Sequence, residues 1–242
     1  IHTTAKTLME LGFDDFTVRI NDRQILFDMI ASAGFQIEDI LSVCITFDKL
    51  DKIGLDGVKA ELLEKGFSAD AVQRFIDGAG TDQVLGISAM AEYCTDGEVV
   101  GQLSHIIDSI ERLSKSKYRI EYDKSLVRGM GYYTGTIFEI VSSKFNSSIA
   151  GGGRYDKMIG NMIGEDVPAV GFSIGFERIA EILLSGEGAK FGLDEKRLAL
   201  LYEKTDDFVS VLEDADSLRA EGFDVCVMVK AKKLGKQLTP LG

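Results

Sequence analysis

Between Glu38 and about Lys117 the apolar positions repeat with the 3.6-residue period of helices that bury one face. Leu41, Ile45 and Leu50 begin the pattern, and Val58, Leu62 and Leu63 continue it up to Gly66. Ala71, Val72, Phe75 and Ile76 follow Ser68, a residue type that caps helix N-termini, and Val99, Leu103, Ile106, Ile110 and Leu113 form a last long stripe. An earlier stripe, Ile25, Leu26, Met29, Ile30 and Ala33, ends at Gly34, a helix-stopping residue. Elsewhere the period is two. Thr136 to Val141 is a β-branched and aromatic run that predicts a strand, and Val170, Phe172 and Ile174 alternate as a second one. Phe176, Ile179, Ala180 and Leu183 then take the spacing of a helix's buried face, with Arg178 on its other side. Near the C-terminus Leu198 to Tyr202 predicts a strand, and Phe208, Val211, Leu212, Ala215 and Leu218 a helix closed by Gly222. Phe223, Val225, Val227 and Val229 complete a strand–helix–strand unit with parallel strands. Ile1 to Thr17 is short of landmarks, and Ser185 to Lys190 has the composition of a linker.

Composition narrows what such a chain can be. With 242 residues, 45% of them hydrophobic and only two prolines, it can bury a substantial core in one large domain or two smaller ones. No apolar run approaches the roughly 20 residues that span a bilayer, and no signal pattern opens the chain, so a cytoplasmic protein is the simplest expectation. The first residue is not methionine, and the numbering is expected to begin inside a longer protein. Cys44, Cys94 and Cys226 are far apart and lack metal-ligand spacing; with only His2 and His105 besides, no metal site is proposed. His105 lies near the long helical stripe, where a structural or exposed histidine is expected. The net charge of −12 argues against non-specific nucleic-acid binding; the best basic cluster for a local contact is Lys230, Lys232, Lys233 and Lys236, which by pattern alone is equally a solvated charged turn.

Candidate chemistry is concentrated in three segments: LVRGMGYYTGTIFE (Leu126 to Glu139), AGGGRYD (Ala150 to Asp156) and VGFSIGFERI (Val170 to Ile179). The first sets an arginine and two tyrosines among glycines just before a strand, which leaves room for a ligand beside an aromatic wall. In the second, consecutive glycines let a bound molecule approach the main chain, although such a run is by itself more often a turn or bulge. The third puts a glycine-flanked strand before a helix with Arg178 in its first turn.

In this order the three segments resemble the second half of the catalytic domain of the histidyl-tRNA synthetase family, class II aminoacyl-tRNA synthetases. The first two are similar to the family's histidine-specific signatures and the third to class II motif 3. The resemblance extends more weakly from about Asp14 to the C-terminus, and VRINDRQIL, which contains Arg23, resembles the segment that follows motif 2. It implies an α+β fold on an antiparallel sheet, with residues 1–190 a partial catalytic core, a helical insertion at about 38–117 meeting the tRNA acceptor end, and 195–242 the start of an anticodon-binding domain. Motifs 1 and 2 have no match before Val18, so the chain alone is expected to show little or no activity.

The implied activity is histidine–tRNA ligation: histidine's carboxylate attacks the α-phosphate of ATP, and the adenylate passes its acyl group to tRNA(His). The resemblance implies Arg128 as the catalytic cation beside the α-phosphate. It implies Tyr132, Tyr133 and Tyr155 around the imidazole with Gly152 and Gly153 as floor, and Gly171, Gly175 and Arg178 at the ATP. ATP with Mg2+, tRNA(His) and a second copy of the chain are the implied partners. One departure is Gly131, where the family usually has aspartate. A non-catalytic relative, the regulatory subunit of ATP phosphoribosyltransferase, is the alternative; such relatives tend to lose the arginines that this chain keeps.

Overall fold

A computed structural model describes residues 1–80, 87–94, 97–129, 131–142, 147–165, 167–184 and 196–232. The chain divides into two compact units, 1–188 and 189–242.

The first unit begins with α1 (His2–Glu10), a helix in the stretch that offered no periodic signal. Strand β1 (Phe16–Asp22) follows and runs directly into α2 (Arg23–Ser32). Asp22 makes that junction possible, because its carboxylate accepts the Gln24 amide at 2.9 Å and satisfies one of the helix's unpaired donors. Gly34, at φ +99°, ends the helix in the left-handed region. Next come α3 (Ile40–Phe47), α4 (Leu50–Glu64), α5 (Ala69–Gly80) and, after a short 3₁₀ turn at Ile87–Glu92, α6 (Gly97–Ser114). β2 (Arg119–Tyr122), β3 (Thr136–Ser142), β4 (Ser147–Arg154), α7 (Asp156–Ile163), β5 (Val170–Ile174) and α8 (Phe176–Leu184) complete the unit.

The five strands form one sheet in the order β2-β1-β3-β4-β5, antiparallel throughout except for the β1–β2 pair. This is an α+β fold. The glycine run sits in the middle of β4 rather than in a turn, and the only register shift between β3 and β4 lies beyond it, at Ile140/Val141. Side chains directly opposite on neighbouring strands share a face. Ile20, Phe138, Gly152 and Phe172 therefore line up on one side, next to Val18, Ile140 and Ala150; Arg19, Glu139, Gly151 and Ser173 line up on the other.

Helices α2 to α5 enclose their own apolar core, in which Phe47 packs edge-on against Phe75 and Phe75 against Phe35. Val127, from the first signature segment, is buried in the same core and ties that segment to the helices. Several positions differ from the periodic reading, Leu63, Phe208 and Val229 among them, each of which is exposed. Leu41 and Ile45 are each 50% exposed, and α3 instead buries Ile40, Val43, Cys44 and Phe47, a face turned by one residue. On the edge strand Val170 is 75% exposed and Phe172 47%, and Phe176 at the start of α8 is 82% exposed, while Ile179 is buried. The predicted inward face of this segment is inward only where another layer covers it, and on β5 the cover is partial: Ile174 is half-buried while Val170 and Phe172 stay exposed.

The second unit contains β6 (Lys196–Tyr202), α9 (Phe208–Ala220) and β7 (Phe223–Val229), with β6 and β7 parallel. Asp207 caps α9 through the Val209 amide at 3.2 Å, and Gly222 at φ +93° ends it. Lys233 and Lys236 of the basic cluster and the 185–190 linker lie outside the described residues; Lys230 pairs with Glu203 at 3.0 Å. Among the described residues no helix is long and apolar enough to cross a membrane.

Candidate active site

The polar face of the sheet opens into a cleft of about 800 Å³. Its floor is Arg19, Glu139, Gly151 and Ser173, one residue from each of β1, β3, β4 and β5. One wall is the segment before β3, carrying Arg128, Tyr132 and Tyr133; the far end is Gly175 and Arg178, where β5 turns into α8. Another wall comes from Asp48, between α3 and α4, and from Asp51 and Lys52 in the first turn of α4.

Arg128 stands over the floor, half exposed, with its guanidinium ion-paired to the buried carboxylate of Glu139. Such a pair holds the planar cation in one direction while leaving donors toward the cleft. Arg19, beside Glu139 on β1, pairs at 3.6 Å with Asp123. Across the cleft, burial pushes the Asp48 carboxyl up, and the positive charge of Arg128 works against that rise. At the far end Arg178 donates to the carbonyl of Ser148 on β4.

The aromatic wall depends on glycine. Tyr132 and Tyr133 have ring centroids 4.4 Å apart, and Tyr155 lies 6.4 Å from Tyr133. A Cβ at Gly153 would be 2.9 Å from the Tyr133 ring, and one at Gly171 would meet the Tyr155 hydroxyl. These two glycines therefore make room for tyrosine rings. Gly152, on the opposite face, has no space at all: a Cβ there would collide with the Gly171 carbonyl and come within 2.8 Å of Phe138 and Phe172. Burial, reinforced by hydrogen bonding to Tyr132, pushes the Tyr133 phenol up to about 12, so it is a neutral hydrogen-bonding group near pH 7.

Of the residues singled out in the sequence, Arg128, Tyr132, Tyr133, Gly152, Gly175 and Arg178 line the cleft. Gly153, Tyr155 and Gly171 sit just behind it, supporting the tyrosine wall. Gly131 is exposed, beside the tyrosines. Sequence reasoning did not find Glu139, Arg19 or the stretch from Asp48 to Lys52 that leads into α4. Glu139 carried one available signal, a carboxylate inside a β-branched run on a strand facing the core, where a charge needs a partner. The stretch from Asp48 to Lys52 carried none, since its approach to Arg128 is a long-range interaction.

The chain's relatives agree with this architecture. Histidine–tRNA ligase of Leifsonia xyli subsp. xyli is 38% identical over 243 residues, which cover 97% of this chain and 55% of that protein. Histidine–tRNA ligase of Aeropyrum pernix is 39% identical over 194 residues, 78% of this chain and 43% of the relative. The chain thus spans about half the length of the curated relatives it matches. The crystal structure of histidyl-tRNA synthetase from Nostoc sp. PCC 7120 superposes with a TM-score of 0.65 at 27% identity, covering 98% of this chain and 58% of that one. An ATP phosphoribosyltransferase regulatory subunit/histidyl-tRNA synthetase from Bacillus halodurans shares the fold, with a TM-score of 0.63 at 17% identity over 99% of this chain and 61% of that one. The family model described as histidyl-tRNA synthetase matches residues 1–179, three quarters of the chain, and the chain belongs to the histidyl-tRNA synthetase family.

Proposed function

We propose that this chain carries a major part of the catalytic site of a histidine–tRNA ligase, which activates histidine with ATP and transfers it to tRNA(His). The observation that carries the reading is convergence: segments 126–139, 150–156 and 170–179, separate in sequence, meet around one cleft with a cation at its centre and a neutral tyrosine wall at one side. Attack of a carboxylate on a phosphoanhydride builds negative charge around phosphorus. A preoriented cation in a partly desolvated cleft lowers the barrier most when it is aimed before the reaction starts.

In this reading Arg128 stands at the α-phosphate and stabilises the transition state. Arg178 and Gly175 bind the ATP end. Tyr132 and Tyr133 take the imidazole, where a phenol can exchange a hydrogen bond with a ring nitrogen; Gly153 leaves room for the Tyr133 ring and Gly171 for Tyr155, which stands beside it. Gly152 keeps β4 and β5 close enough for the floor to form. Mg2+ would accompany the triphosphate and neutralise part of its charge. Residues 38–117 act as the insertion toward the tRNA acceptor end and 195–242 begin an anticodon-binding domain. The working protein is a cytoplasmic homodimer.

The regulatory subunit of ATP phosphoribosyltransferase is the competing function, and Arg128 and Arg178, both at the cleft, speak for catalysis. The two functions separate in one assay, the amino-acid-dependent exchange of pyrophosphate into ATP by the full-length protein. Exchange with histidine and with none of the other amino acids is expected. A protein that binds histidine but exchanges nothing, and that raises the activity of an ATP phosphoribosyltransferase, would overturn the ligase reading.

A further inference from the structure

Three consecutive residues at the junction of β1 and α2, Asn21, Asp22 and Arg23, each reach the first signature segment, about a hundred positions away in sequence. Asn21, 1% exposed, donates from Nδ2 to the carbonyls of Leu126 at 3.1 Å and Lys124 at 3.3 Å. Asp22 accepts from the Thr136 hydroxyl at 3.0 Å while capping α2. Arg23 contributes most. Its backbone amide donates to the Gly135 carbonyl at 3.2 Å, and its Nη1 donates to the carbonyls of Tyr133 and, at 3.4 Å, Gly129. The guanidinium rests 5.1 Å over the Phe27 ring, which fixes its plane.

Those carbonyls bracket the turn that carries the tyrosine pair. The Gly129 carbonyl also receives the amides of Tyr132 and Tyr133, both at 3.0 Å, and the Tyr133 ring folds back over Gly129, where φ is +61° and a Cβ would collide with the ring. A turn closed in this way is short, glycine-dependent and half exposed, so little packing of its own holds it. Removing the guanidinium leaves partly buried carbonyls without a charged donor, and hydrogen bonds to charged groups are worth more than neutral ones.

We propose that Arg23 is a positioning residue for amino-acid recognition: by gripping the carbonyls of Gly129 and Tyr133 it sets the height of the Tyr132–Tyr133 wall above the cleft floor, and so the fit of the amino-acid side chain. The substrate named here, histidine, rests on the functional reading above. Arg23 does not line the cleft and touches no reacting atom. Arg128 has a separate anchor in Glu139, and Arg178 in Ser148, so the clamp bears on one end of the site only.

The test uses Arg23→Lys and Arg23→Met in the full-length protein. Lysine keeps the charge but offers a compact ammonium in place of the planar fork that spans two carbonyls. In pyrophosphate exchange the KM for histidine should rise about tenfold in both variants, the loss that follows from misplacing an orienting wall. The KM for ATP should stay within about twofold. In hydrogen exchange the Tyr132 and Tyr133 amides should lose about tenfold protection while those of Val18 and Ile140 keep theirs. Should the methionine variant fail to fold, the lysine variant decides. An unchanged KM for histidine, equal rises in both KM values, or unaltered protection at Tyr132 and Tyr133 in a folded variant would overturn the clamp. A parent protein without histidine-dependent exchange would overturn the functional reading and the substrate with it, and the hydrogen-exchange result would still judge the clamp.

Discussion

On one face of the five-stranded sheet Val18, Ile20, Ile140 and Ala150 are buried; on the other, Arg19, Glu139, Gly151 and Ser173 line an open cleft. The same three inner strands make both faces, one residue apart. Period two lets a strand place a scaffold side chain and a site side chain at adjacent positions, so the rigidity of the apolar layer passes directly to the groups above it. Glu139 illustrates this. Its neighbours Phe138 and Ile140 are buried on the far side, and its carboxylate is thereby fixed under Arg128. The difference also extends along the sheet: at the edge strand β5 the apolar side chains Val170 and Phe172 continue the core face but stay exposed.

The largest expected effect falls on the polar face. In the full-length protein, and on the functional reading proposed above, replacing Arg128 with Ala should lower kcat for adenylate formation by about two to three orders of magnitude, typical for loss of a preorganised electrostatic donor, with a smaller change in the KM for ATP. Lysine should rescue it only in part. Arg178→Ala should act mainly on ATP affinity. Single-turnover adenylate formation on the three variants decides the matter; an intact chemical step in Arg128→Ala would remove that residue from catalysis.

On the apolar face the contrast lies between centre and edge. Ile140→Ala should cost about 2–5 kcal/mol of stability, since a fully buried side chain leaves a cavity. Phe172→Ala, at a half-exposed position on β5, should cost about 1 kcal/mol or less. Urea denaturation of this chain measures both, and equal losses would mean that the edge strand is covered in solution.

Two neighbouring glycines on β4 test the faces one residue apart. At Gly152 an added methyl meets backbone on the packed side, so Gly152→Ala should cost about 1–3 kcal/mol. At Gly151 the methyl finds the Phe138 carbonyl at 3.2 Å and points into the cleft, so Gly151→Ala should leave stability within about 1 kcal/mol and weaken ligand binding instead. Melting curves and binding calorimetry on the pair should therefore rank them in opposite orders.

The smallest effect concerns Asp156, which braces the end of β4. Burial works to raise its pKa, but the Ala169 amide at 2.7 Å and the Arg154 guanidinium at 2.6 Å outweigh it and hold the carboxyl below its ordinary value. A pKa lowered by folding contributes stability that is complete above the unfolded value, about 3.9, and disappears as the pH falls through the folded one. Asp156→Asn should thus melt slightly below the parent at neutral pH, and the gap should close in acid below about pH 4. The groups are solvent-screened, which keeps the gap small. A gap that widens in acid would reverse the assignment.

Local pattern was enough for several of the elements, though not for α1, which carried no periodic signal, or for β4, whose glycine run masks the strand. The strands at 136–142 and 170–174, the helix stopped by Gly34 and the parallel unit of the second domain all follow from period and from glycine, because backbone sterics and side-chain alternation act within a few residues. The three signature segments were legible for the same reason, each being a short run of unusual composition. Which face of an element is covered was not legible. Leu41 and Ile45 are as apolar as Val43 and Phe47, and only the position of α4 and α5 selects the buried pair. Nor could the sequence place Asn21 and Arg23 under carbonyls more than a hundred residues away, seat Glu139 beneath Arg128, or turn Asp48 toward the cleft. Those contacts exist only once the sheet order is set, and no local period encodes them: an unpaired carbonyl or a buried carboxylate specifies that a partner is needed, and the tertiary fold decides which residue supplies it.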